Sequence, residues 1–152
     1  MNKAFSFLEP GKLTDNELEL VLVKKIPADE KKGYVPSYEF EMRNAKTGEK
    51  IGDINLRVGN NENTKYGGHI GFEVDENFRG HRYAARSLKL LFPLAKKHGI
   101  NPLWITCNPE NTPSRKTCEL AGGKLIEIVD LPKHNDQYQR GDRKKCRYRF
   151  DL

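Results

Sequence analysis

FRGHRYAARSL, residues Phe78–Leu88, stands where the chain changes its hydrophobic period. Upstream, Gly68–Val74 alternates: Ile70, Phe72 and Val74 share one face, and His69, Gly71 and Glu73 the other. That two-residue period marks a half-buried strand. Downstream, Ala84, Leu88, Leu91, Leu94 and Ala95 recur at three- and four-residue steps, predicting a helix from Tyr83 to His98. Gly99 is placed to end it, and Pro93 to bend its last turn. The quoted run is therefore a strand-to-helix turn carrying Arg79, His81, Arg82 and Arg86 around Gly80. A helix start offers unpaired N–H groups and partial positive charge, and a glycine beside it lets an anion approach the backbone. Two readings compete, a phosphate cradle and a solvated basic corner. Neither G-x-x-x-x-G-K-[ST] nor G-x-G-x-x-G occurs, so it is no Walker loop and no dinucleotide fingerprint.

Working outward, Leu18–Val23 reads as a strand, and Pro27–Gly33 as a charged connection. Ser37–Arg43 alternates Tyr38, Phe40 and Met42 against Glu39, Glu41 and Arg43. After the turn Asn44–Gly48, Lys50–Val58 pairs back as a hairpin. Asn60–Thr64 reads as a polar loop. Beyond the helix, Leu103–Cys107 is a short apolar strand of the kind buried on both faces. Asn111-Thr112-Pro113 opens a second helix that ends at Gly122-Gly123. Lys124–Val129 and Cys146–Phe150 are the last strands, around a polar loop from Pro132 to Asp142. A strand-helix-strand-helix-strand core flanked by antiparallel strands predicts a mixed-sheet α/β (α+β) domain. No linker or repeat divides residues 1–152, so one domain is expected.

Composition bounds the function. Hydrophobic residues are 36% and charged residues 32%, as in soluble globular proteins. No apolar run approaches a membrane span, and the N-terminal residues lack the apolar core of a secretory signal, so a cytoplasmic protein is expected. Cys107, Cys118 and Cys146 are odd in number and widely spaced, which argues against a disulfide framework. No short-spaced His/Cys pair suggests a metal site. A formal charge of +6 suits an anionic partner without choosing among nucleic acid, a phosphorylated cofactor and an acidic peptide.

The turn Arg79-Gly80-His81-Arg82-Tyr83-Ala84 resembles the cofactor motif [QR]-x-x-G-x-[GA] of the GNAT superfamily of acetyl-coenzyme A dependent N-acyltransferases. Its first and last positions match; at the fourth, Arg82 replaces glycine, a change tolerated only where that residue avoids positive φ. Asn108-Pro109-Glu110-Asn111-Thr112-Pro113-Ser114 and the following helix resemble the second cofactor element, N-x-x-[SA]-x-x-x-x-E-x-x-G. Asn111, Ser114, Glu119 and Gly122 fall on its marked positions. The resemblance spans about residues 48–130. It implies a mostly antiparallel sheet, flanked by helices and splayed between its fourth and fifth strands, and an N-acetyltransferase that uses acetyl-CoA without a metal. It also implies that Arg79, Gly80, His81, Arg82, Tyr83, Ala84, Asn108, Asn111 and Ser114 hold the coenzyme. A backbone amide near Phe72 to Val74 would face the oxyanion.

Two departures stand out. Cys118 occupies the place where many family members carry a tyrosine that protonates the leaving thiolate. Only about ten residues, Pro27 to Pro36, separate strands between which the family usually places two helices. Either the acceptor cleft is open, or a second subunit of a homodimer or the loop Pro132–Asp142 completes it. The attacking amine must lose a proton, and Glu73 and His69, on one strand face, are the expected bases, with Glu41 and Asp53 as further carboxylates. Two other classes compete. The aromatic–basic run Lys144–Phe150 suits a nucleic-acid module, or an ordinary final strand with a basic outer face. A non-catalytic relative would bind acetyl-CoA without releasing thiol.

Overall fold

The computed structural model describes residues 5–152. Five antiparallel strands form one sheet in the order β1-β2-β3-β4-β5. They are Leu13–Asp15 (β1), Leu18–Ile26 (β2), Ser37–Asn44 (β3), Lys50–Arg57 (β4) and Ile70–Val74 (β5). A second, three-stranded sheet has the order β6-β8-β7, built from Leu103–Cys107 (β6), Lys124–Asp130 (β7) and Lys144–Phe150 (β8). The split falls between β5 and β6, the fourth and fifth of the strands expected from sequence.

The β3–β4 hairpin forms for local reasons. Asn44 turns its side chain onto the amides of Lys46 and Thr47 (2.9 and 3.1 Å), and Gly48 takes the positive φ (+75°) that closes the loop. Alternation then buries Tyr38, Phe40 and Met42 with Ile54 and Leu56. Against that face packs α2 (Tyr83–Lys97), whose stripe Ala84, Leu88, Leu91, Leu94 and Ala95 is buried. Leu88 and Leu91 are completely covered, and truncating either to alanine costs about 2–5 kcal/mol. Pro93 lies within the helix on its exposed side, and Gly99 follows it at φ +76°. Residues from both sheets share one buried cluster.

Several local expectations need correcting. Asn60–Thr64 is not simply a polar loop: Asn61 caps a helix, α1 (Glu62–Gly67), in a reciprocal box with Thr64. The Pro132–Asp142 loop contains a short helix, α4 (Asp136–Gln139), capped by Asn135. Strand β1 carries too little periodicity to read in sequence. Strand β6 buries alternate residues, since Trp104 and Thr106 are only half-covered. The second helix, α3 (Thr112–Leu120), starts as expected, with Asn111 capping and Pro113 in its first turn. No helix separates β2 from β3, which are joined by a loop with one bridge, Asp29 to Tyr34. No described helix is long and apolar enough to cross a membrane.

Candidate active site

The sheet opens because β5 loses its partner after one anchoring residue. The His69 amide donates to the Trp104 carbonyl (2.7 Å), and the Trp104 amide donates back to His69 Nδ1 (2.9 Å). His69 Nε2 therefore carries the proton and donates to Asn60 Oδ1 (2.9 Å). Beyond this pin β5 and β6 do not pair. Past His69, the Asp75 amide bonds to the Ile51 carbonyl and the Gly71 amide to Asn55 Oδ1, so the odd-numbered amides from Gly71 to Asp75 point toward β4. Strand alternation then turns the amides of Phe72 and Val74 into the split.

At the end of β5, a 3-10 turn (Glu76–Phe78) leads into the basic run. Gly80 has φ +92°, and a Cβ built there meets nothing within 4 Å, so the glycine serves the backbone bend and leaves the space above it open. Arg82 is the N-cap of α2 at φ +59° and ψ +26°. This corrects the expectation that an arginine here must avoid positive φ: it takes the small left-handed well open to L-residues. Its side chain caps nothing, so the first amides of α2 remain available.

A cleft of about 550 Å³ joins these parts. Strand β5 supplies Phe72, Glu73 and Val74; the turn supplies Arg79, Gly80 and Arg82; α2 supplies Tyr83 and Ala84. Across the split stand Asn111 and Ser114 of the α3 start. The structure thus brings together two motifs about thirty residues apart. Asn111 also caps α3, accepting from the Ser114 amide (3.2 Å). Phe78, Pro113 and Thr117 line the cleft as well, and no motif pointed to them.

Other expected residues lie elsewhere. His81 is exposed and packs against Tyr83, with ring centroids 5.5 Å apart, outside the cleft lining. Asn108 donates to Asp142 (3.0 Å), and its Oδ1 is buried without a partner, away from the cleft. His69 is buried, and burial lowers its pKa to about 4. With both nitrogens engaged, it works as a strand pin. Cys118 sits fully buried in the core, and burial raises its thiol pKa strongly; Thr117 faces the cleft instead. Glu41 is held by Arg43 and Asp53 by Lys50 (3.1 Å), whereas Glu73 is exposed at the cleft wall.

A network sequence reading missed fixes the start of α2. Arg86 donates to Asp15 (2.7 Å) and Glu17 (2.6 Å), and the Tyr83 hydroxyl donates to Glu17 (3.1 Å). These bonds, chiefly that from Arg86, hold Glu17 at a pKa of about 2. The β1–β2 hairpin therefore braces the turn.

Residues 3–124 match the acetyltransferase (GNAT) domain family. The chain belongs to the GNAT acetyltransferases. GNAT enzymes are acyltransferases, and solved structures agree on the fold. A ribosomal L7/L12 α-N-protein acetyltransferase in complex with coenzyme A has TM-score 0.66 at 15% identity, over 93% of this chain and 98% of that one. An acetyltransferase from Salmonella typhimurium that modifies the N-terminal serine of L7/L12 has TM-score 0.59 at 19% identity, over 81% and 67%. A microcin C7 self-immunity acetyltransferase bound to acetyl-CoA and AMP has TM-score 0.59 at 16% identity, over 76% and 61%. No curated protein matches this chain in sequence.

On the sheet face opposite α2, this GNAT chain carries a cavity of about 1000 Å³. Its floor is Glu39, Asn55 and Arg57; its walls are the β2–β3 loop, α1 and the stretch Asn135–Arg140. The wall is tied together: Asn61 and Asn63 donate to the Gly33 carbonyl (2.8 and 2.7 Å), and Gln137 donates to the Tyr66 carbonyl (3.4 Å). The loop Pro132–Asp142 thus helps to wall the space that the family's two helices usually border. Burial raises the pKa of Glu39 and lowers that of Arg57.

Proposed function

We propose that the chain, acting as one acetyltransferase domain, transfers the acetyl group of acetyl-CoA to a primary amine bound in the open sheet face. The observation that carries this reading is the 550 Å³ cleft, where the glycine turn, the α2 start and the Asn111–Ser114 helix start converge on the free β5 amides. The residues fit a coenzyme A diphosphate: open backbone at Gly80, uncapped α2 amides, and Arg79 and Arg82 as flanking charge. When bound, acetyl-CoA supplies the activated thioester.

The protein's own groups do the rest. The Phe72 and Val74 amides, free in the split, would donate to the acyl oxygen as negative charge develops on it. An amine of pKa near 10 is almost wholly protonated at neutral pH, so a base must take its proton. Glu73 suits this role because it borders the cleft and, unlike Glu41 and Asp53, is free of a lysine or arginine partner among the described residues. Bringing amine and thioester together across β5 contributes the remainder. The nucleic-acid reading loses its support: Tyr148 and Phe150 are core residues, and Arg147 is held by Glu127 (3.1 Å) and the Trp104 ring.

The test is two-part. Acetyl-CoA at about 100-fold over its Kd stabilises the fold by about 2.7 kcal/mol, a shift of roughly 5–10 °C for a chain this size. Thiol release is then followed across a panel of amines. Absence of a thermal shift in folded protein rejects the reading; a shift without thiol release for any amine supports coenzyme binding without catalysis.

A further inference from the structure

Arg57 is the arginine held fixed on the cavity floor. It projects from β4 onto the cavity floor, and its Nη1 donates to the carbonyls of Gly67 (2.8 Å) and Gly68 (3.1 Å), which fixes the guanidinium plane. Some arginines among the described residues have carboxylates: Arg43 has Glu41, Arg86 has Asp15 and Glu17, Arg147 has Glu127. Arg57 has none. Glu39 faces it across the same floor, yet attracts it only at a distance, beyond ion-pair contact. Its Nη1 is engaged while Nε and Nη2 keep donors free, so a half-buried, fixed guanidinium edge is left to receive an anion.

Its location relates it to β5. A Cβ placed on Gly71 would stand 2.9 Å from Arg57 Nη2, so the guanidinium lies directly over β5. The next residue is Phe72, whose amide opens into the split. An anion held by Arg57 would therefore lie by Gly71, one residue before Phe72. The cavity is of small-molecule size, and its floor presents separated positive and negative groups.

We propose that Arg57 binds a carboxylate of the acceptor, so that the enzyme acetylates an amino acid or another amine that also bears a carboxylate. This rests on the acetyl-transfer reading. Arg57 grips the carboxylate with its free edge over Gly71, which leaves the amine end to lie along β5 toward Glu73. Gly71 keeps the space over β5 clear for the guanidinium.

The experiment uses the full chain, ¹⁵N-labelled and saturated with coenzyme A, at constant ionic strength. Butyrate, 4-aminobutyrate and n-butylamine are titrated separately, with the Arg57 Nε–H and Gly71 amide signals followed. Both carboxylates are expected to shift these signals saturably, and n-butylamine is not. Arg57→Met should weaken 4-aminobutyrate binding at least tenfold. Should that variant fold poorly, Gly71→Ala, which displaces the guanidinium, should weaken it several-fold. No saturable shift with either carboxylate, or equal affinity in a folded variant, overturns the proposal. Coenzyme A binding, read at the Gly80 and Tyr83 amides, separates the two readings. If coenzyme A moves those amides while the carboxylates leave Arg57 unmoved, only the acceptor proposal fails. If coenzyme A moves nothing, acetyl transfer fails first.

Discussion

Replacing Arg82 with glycine should stabilise the protein, although it removes a charged side chain and adds nothing. Arg82 holds φ +59° at the first boundary of α2. An L-residue in the left-handed region is strained by about 1–2 kcal/mol, whereas glycine is not. Glycine also has more unfolded-state freedom to lose, which offsets about 0.5–1 kcal/mol. The net gain is therefore about 0–1.5 kcal/mol, centred near 0.75, or up to roughly 6 °C in Tm for a chain of this length. Arg82→Ala keeps the strain and supplies the control. The assay is paired thermal and urea unfolding of wild type and both variants. The glycine variant should exceed the alanine variant, and acetyl-CoA affinity should fall by less than about fivefold, because the backbone donors remain and the lost charge is exposed. A glycine variant no more stable than the alanine variant would refute the left-handed geometry. Arg82→Pro, which cannot reach positive φ, should largely abolish coenzyme binding.

Glu17→Gln should flatten acid sensitivity. Arg86 holds the Glu17 pKa near 2 against 4.5 unfolded, so its stabilisation is present above pH 4.5 and lost as pH falls toward 2. Tm against pH for both proteins checks this, and parallel curves would contradict it. His69, with a folded pKa of about 4, should stay neutral by NMR down to about pH 5; its contribution is whole above pH 6.5 and declines as pH falls from 6.5 to 4. Titration near pH 6.5 would show that the strand pin has been misassigned. Glu73→Gln should lower kcat about 10²-fold or more with any accepted amine, leaving acetyl-CoA affinity unchanged. An unchanged kcat removes it as base. The cysteines are buried, and Cys118 should resist thiol reagents until the protein unfolds; fast labelling would place it outside the core.

Those residues also show what sequence could reveal. The period change at Phe78–Leu88 located β5, the turn and α2, because burial on one face leaves a periodic trace. The Asn111–Ser114 start was legible through capping chemistry, which is local. His69 was misread because one strand face looks alike whether it meets solvent or another strand; only the Trp104 contact distinguishes them. Arg82 was misjudged because sequence gives the residue and not its φ. Arg57 and Glu39 gave no signal, since their meaning depends on a cavity assembled from the β2–β3 loop, α1 and the β7–β8 loop. The bracing of Arg86 by Asp15 and Glu17 spans about seventy residues, beyond any local pattern.

In the proposed function, the Arg79–Ala84 turn and the Asn111–Ser114 helix start hold acetyl-CoA together. Calorimetric titration of acetyl-CoA into wild type, Arg79→Glu and Ser114→Glu tests it most directly. Wild type should bind saturably and one-to-one, and each folded variant at least several-fold more weakly. Wild-type binding that both variants leave unchanged, or no binding by folded protein, would contradict it.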